Sequence, residues 1–173
     1  MQNYVTPLQQ ALSCVSKAVL RPASYEPSPQ PIVLSSEQMP ERLPNTDLYF
    51  VVAQWFSIIE DQQNGPWRVT TKGYKYTIET DDAEEILGYH WHPDSLSPFK
   101  ETHLHLGSGA RIGRPELETT KAHLPTGRVS MEDFLKLLIE VFDARPQRTT
   151  WQAILQKTGS TFWKYASWGR RAT

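Results

Sequence analysis

The sequence predicts an α+β protein, an antiparallel β meander of about four to five strands packed against C-terminal helices, with a further helix at the N-terminus. Three observations carry this. The middle of the chain alternates apolar and polar residues with period two, the last third changes to helical spacing, and one proline-rich stretch separates the start of the chain from both. At 173 residues, 39% hydrophobic and 21% charged, the chain can bury one core of ordinary size without help from disulfides or a structural metal.

"TPLQQALSCVSKAVL", residues 6–20, opens with Thr6 before Pro7, a helix cap followed by proline at the first helical position. Leu8, Leu12, Val15 and Val19 follow at helical spacing, so residues 1–21 read as an N-terminal helix. From Arg21 to Pro44 six prolines interrupt every periodicity, and 22–45 reads as a linker lying on the surface. Residues 46–173 form the single α+β domain.

"DLYFVVAQWFSIIE", 47–60, is nearly continuous in apolar, aromatic and β-branched residues, which predicts a long central strand covered on both faces. "DQQNGP" turns the chain, with Asn64-Gly65 as the hairpin signal. "GYKYTIET" and "EEILGYHWH" are alternating strands joined by "DDA", and "THLHL" follows after the loop 93–101. Ser130 then caps a helix with Asp133 at its third position and a buried stripe of Phe134, Leu137, Leu138 and Val141, ended by Pro146. A last helix begins near Thr149 or Thr150 with Trp151, Ile154 and Leu155 inward, and Gly159 interrupts it.

Composition narrows the partners. The lone Cys14 excludes an internal disulfide and fits a reducing compartment. No apolar run approaches the roughly 20 residues that span a bilayer and the N-terminus lacks a secretory pattern, so the expectation is a cytoplasmic protein with no membrane partner. The net charge of −1 is unevenly spread: residues 144–173 hold six basic residues and no acid, among Trp151, Phe162, Trp163, Tyr165 and Trp168. Such a basic, aromatic tail suits phosphates and unstacked bases, or it packs its rings on the core.

Four of the five histidines fall within "YHWHPDSLSPFKETHLHLG", residues 89–107, as two His-x-His pairs. On a strand, residues two apart share a face. If the two strands are antiparallel neighbours, one register brings His90, His92, His103 and His105 onto a single face, lining an open sheet surface or a cleft, and leaves Tyr89, Trp91, Leu104 and Leu106 on the other. Three readings stay open. The histidines act as an acid-base pair on a phosphodiester, with Lys75, Arg111, Arg114, Lys121 and Arg128 as candidate cations for the substrate. Alternatively, His90, His92, His103 and His105 bind zinc or another divalent metal, with Asp94 or Glu101 as a further ligand. In the third they are simply solvated. Tyr74 and Tyr76 share a face and could stack bases or serve the core, and "GSGARIGRP", 107–115, could approach an anion.

The stretches "GYKYTIE", "EILGYHWHPD", "THLHLG" and "VSMEDFLKLLIEVF" resemble, in order, the TumE-type toxins of prokaryotic toxin-antitoxin pairs, over residues 47–143. His103 and His105 match the family's His-x-His strand; the family's motif at the end of the preceding strand is closer to Tyr-Asp-Asn, so His90 and His92 do not carry over. The resemblance implies action on RNA and a cognate antitoxin as partner. The sequence thus predicts a nuclease-like enzyme, a metal-independent ribonuclease without cofactor, with His103 and His105 as the acid-base pair and His90 and His92 supporting. The alternatives are a histidine-ligated metalloenzyme acting on a small molecule and a non-catalytic binding module that uses the basic tail.

Overall fold

The computed structural model describes residues 2–37, 39–61, 65–114 and 123–165. In chain order it comprises α1 (Gln2–Leu12), β1 (Leu20–Pro22), β2 (Ile32–Ser36), β3 (Glu41–Arg42), β4 (Tyr49–Asp61), β5 (Gly65–Glu79), β6 (Glu85–Trp91), β7 (His103–Leu106), a short 3-10 turn (Ser108–Ala110), β8 (Leu124–Pro125), α2 (Met131–Glu140) and α3 (Trp151–Tyr165). The strands form one open antiparallel sheet in the order β1-β2-β4-β5-β6-β7-β8, with β3 also paired to β4. The expected meander is the run β4 to β7, and short strands extend it on both sides.

The long strands form where alternation is cleanest. On β4, Phe50, Val52, Gln54 and Phe56 point to the helices and are buried; on β5 so do Tyr74, Tyr76 and Ile78. Tyr76 stacks on Phe134 of α2 at 5.3 Å and Phe56 meets Tyr4 of α1 at 5.3 Å, which ties sheet to helices. The opposite residues of β4, Val51, Trp55 and Ser57, are only half-buried, with Ala53 buried. Full cover on both faces was expected for β4; the helices supply it on one face only.

The expected linker 22–45 also differs. It holds β2 and β3, with Ile32, Leu34 and Leu43 buried in the core. Its prolines sit where a ladder tolerates a missing N–H: Pro22 ends β1, Pro31 precedes β2, and Pro40 and Pro44 flank β3. Prolines that punctuate strands look, in sequence, like prolines that forbid them.

Helix α1 starts at Gln2, before the expected cap, and carries Pro7 inside it, where the ring removes one early hydrogen bond. It stops at Leu12, since Cys14 N and Val15 N turn back onto the Ala11 and Leu12 carbonyls at 3.0 Å. Leu8, Leu12 and Val15 are buried as the spacing requires, whereas Val19 lies beyond the helix and is 45% exposed. Helix α2 follows its sequence signal: Ser130 Oγ accepts from Asp133 N at 3.0 Å and donates to Asp133 Oδ2 at 2.7 Å. Its buried stripe is Met131, Phe134, Leu135 and Leu138, with Leu137 partly covered and Val141, at the C-cap, exposed. Gly159 does not break α3. A Cβ there would stand 3.6 Å from Glu132 Cβ, so the glycine lies where α3 runs close beside α2.

Candidate metal centre

The β6–β7 register pairs His90 with His103 and Gly88 with His105, which puts His90, His103 and His105 on the sheet face away from the helices. Tyr89 and Trp91 turn to the helix side, where Trp91 is buried beside Tyr74 at 6.1 Å. Strand β8 adds a fifth ring that the sequence reading did not include. Leu124 pairs with Leu104, and the preceding His123 lies 4.5 Å from His105 and 4.7 Å from His103, centroid to centroid. His92 lies 5.1 Å from His103, and His90 lies 4.4 Å from His105. Phe99 of the loop 93–101 stacks flat on His123 at 3.7 Å.

Of the open surface or cleft that the alternation allows, the rings take the enclosed form. His103 is 3% and His105 8% exposed, and the side chain of His90 is 12% exposed. Burial and mutual crowding push His90 down to about 3 and His105 down to about 4, and burial lowers His103 as well. Such imidazoles are neutral at physiological pH.

Their nitrogens are oriented. His103 Nδ1 lies 2.7 Å from the Glu101 carbonyl oxygen, which only accepts, so Nδ1 carries the proton and Nε2 keeps a free lone pair. His92 Nδ1 is held by Ser95 Oγ at 2.8 Å. The Nε2 atoms of His90, His103 and His105 are buried and have no hydrogen-bond partner. Three overlapping groups, His90/His92/His103, His103/His105/His123 and Glu85/His90/His105, each bring their ligand atoms within 4.8 Å of one another. His103 belongs to both all-histidine groups.

Glu85 is the residue that sequence reasoning missed. Its Oε1 lies 3.8 Å from His105 Nδ1 and its Oε2 3.8 Å from His90 Nε2. Burial raises its carboxyl, against a lowering by Lys75. Two glycines make room for it. A Cβ on Gly88 would meet His90 Nε2 at 2.9 Å and the Glu85 carboxylate at 3.0 Å, and one on Gly107 would meet the Glu85 backbone oxygen at 1.9 Å. A glycine two residues before His90 and another two after His105 are the signals that could have found it. The carboxylates named from sequence, Asp94 and Glu101, are both exposed; Glu101 serves through its backbone oxygen instead.

The remaining candidates divide by face. Lys75 is the cross-strand partner of His90 and joins the site. Tyr74 and Tyr76 lie in the core on the opposite face, stacked at 4.8 Å, because their parity on β5 is the reverse of that of Lys75. Arg128 follows Trp91 to the helix side, its guanidinium 3.5 Å above that ring. Arg111 and Arg114 occupy the exposed loop after the 3-10 turn. Lys121 lies outside the described residues. In the basic tail, Trp151 packs partly buried against the core; the side chains of Phe162, Trp163 and Tyr165 and all of Trp168 lie outside the description. Among the described residues, no helix is long and apolar enough to cross a membrane.

Comparison of this chain with protein-family models, with curated proteins and with solved structures finds no match.

Proposed function

We propose that the histidine face is a divalent transition-metal centre and that the protein is a metal-dependent enzyme acting on a small molecule. The observation that carries this reading is the set of three buried Nε2 atoms, of His90, His103 and His105, left without hydrogen-bond partners in the midst of other imidazoles. A buried nitrogen lone pair without a donor costs free energy, and several facing one another cost more. A cation removes the conflict at once. Neutral imidazoles are the form that binds metal, and an outer hydrogen bond such as that from His103 Nδ1 to the Glu101 carbonyl is the usual way a protein orients such a ligand.

The same observation weighs against metal-free acid-base cleavage. A general acid must hold a proton near the working pH, and burial takes the proton from His90 and His105 well below it. An all-imidazole set suits zinc, which would polarise a carbonyl or phosphoryl oxygen or acidify bound water. The protein's part is to hold the rings: β6, β7 and β8 set their spacing, and Glu101 and Ser95 set the rotation of His103 and His92.

Metal content by mass spectrometry and zinc titration by calorimetry on untagged protein test this. Stoichiometric zinc in the wild type and none in His103→Ala is the expected result. No binding of zinc, cobalt or manganese by folded wild type would overturn it, as would RNA cleavage that survives EDTA and disappears in His103→Ala, which would restore the metal-free reading.

A further inference from the structure

The proposed centre has an unbalanced charge. Histidine ligands are neutral, so they leave the full 2+ of a divalent ion on the sheet face, and Glu85 is the carboxylate beside the rings. Lys75 then adds a further positive charge. It is the Cα partner of His90, which is in turn the partner of His103, so the ammonium-bearing chain lies one strand from the first ring and two from the second. Neighbouring strands are roughly 4.7 to 4.9 Å apart, within reach of a lysine stem.

Lys75 is half-buried and makes no ion pair among the described residues. Of the carboxylates around it, Glu79 Oε1 accepts from Thr77 Oγ1 at 2.9 Å, and Glu85 lies against the histidines, near enough for Lys75 to lower its carboxyl. Next to Lys75 on the same face, Ala53 and Trp55 of β4 continue the surface as apolar wall, with Trp55 set against Gly73. A divalent ion on the rings and the Lys75 ammonium together outweigh the one carboxylate beside them, Glu85, so the site keeps an excess of positive charge that suits an anion.

We infer that Lys75 and the metal together bind the oxyanion of the substrate, so that the enzyme acts on a small organic acid, a carboxylate or a phosphoester, whose carbon portion lies along Ala53 and Trp55. The inference rests on the metal reading above. The oxyanion replaces solvent on the metal and takes its second contact from the Lys75 ammonium, which gives both affinity and orientation.

Cobalt(II) loaded into the untagged protein supplies a visible spectrum that reports on its ligands. Inorganic phosphate and acetate, titrated separately, are the probes. The expected result is a saturable spectral change with at least one of them, weakened tenfold or more in Lys75→Met and largely retained in Lys75→Arg, with cobalt affinity unchanged in both. The tighter of the two anions identifies the substrate as phosphoester or carboxylate. Equal anion affinity in wild type and Lys75→Met overturns the inference and leaves the metal centre standing, as does bound cobalt that responds to neither anion. Failure of folded wild type to bind cobalt overturns both.

Discussion

On the helix-facing side of β5 and β6, Tyr74 and Tyr76 stack against each other and their phenol oxygens are both engaged. Tyr74 Oη accepts from Val129 N at 3.1 Å, and Tyr76 Oη accepts from Gln54 Nε2, whose Oε1 accepts in turn from Tyr4 at 2.8 Å. One residue along the same strands, and so on the opposite face, Lys75 has no ion pair among the described residues and His90 has a buried nitrogen with no hydrogen bond. The contrast separates two uses of polar groups in one sheet. Polar atoms closed on one another hold a core together, whereas polar atoms left open at close range are poised for a ligand.

The comparison can be tested from both sides. The largest effect is expected in the core. Phe134→Ala removes a ring that is fully buried against Tyr76 and should cost about 3 to 5 kcal/mol of stability in urea melts, by the same amount with and without zinc. On the other face His103→Ala should leave the zinc-free melting temperature within a few degrees of wild type or above it, while lowering zinc affinity more than a hundredfold, about 2.7 kcal/mol. The rise in melting temperature that zinc gives the wild type should vanish with it. Equal loss of zinc-free stability in the two variants would break the division between the faces.

Glu132 is the exception on the helix side and sharpens the rule. It is 3% exposed in the first turn of α2 and neither carboxylate oxygen has a hydrogen-bond partner. The hydroxyls of Thr158 and Ser130 lie close enough to hold the carboxyl down in part, although Thr158 Oγ1 also donates to the Ile154 carbonyl and Ser130 Oγ to Asp133. Burial outweighs them and raises its carboxyl above the ordinary 4.5, so between that pH and the raised value the folded protein holds a proton that the unfolded chain has released. The contribution to stability is full below about 4.5 and is lost as pH rises through the raised value. Glu132→Leu should stabilise the protein by about 1 to 3 kcal/mol at neutral pH and flatten its stability profile over that window. A variant less stable than wild type at pH 7 would assign Glu132 to the closed class of polar groups instead.

The smallest effect is expected from Gly88→Ala. The added methyl meets His90 Nε2 and the Glu85 carboxylate at 2.9 to 3.0 Å, so it should cut zinc affinity about tenfold, about 1.4 kcal/mol, with little change in the zinc-free melt. A large loss of zinc-free stability would show that the glycine serves the sheet and not the site.

Much of this was legible in the residues. The run 47–60 announces β4, "GYKYTIET" and "EEILGYHWH" announce β5 and β6 by their alternation, and Ser130 with Asp133 announces the start of α2. Helix α1 was recognisable but misplaced at both ends, because its stop is set by turns onto the Ala11 and Leu12 carbonyls rather than by a breaker residue. Strands β2 and β3 were hidden by prolines that mark their ends. Within the site, the two His-x-His pairs were plain, whereas His123 and Glu85 carry no motif of their own: one is brought in by a two-residue strand and the other by the irregular pairing of Ile78 and Glu79 with β6.

What the sequence determined by itself is local: two residues apart on a strand means one face, so His90 had to share a face with His92, and His103 with His105. Only the tertiary structure decided that the two faces are the same one, through the register that sets His90 against His103, and that they are enclosed by His123, Phe99 and Glu85. The physical reason is that the pleat is a property of the backbone of each strand, whereas register and burial come from pairing and packing between segments far apart along the chain.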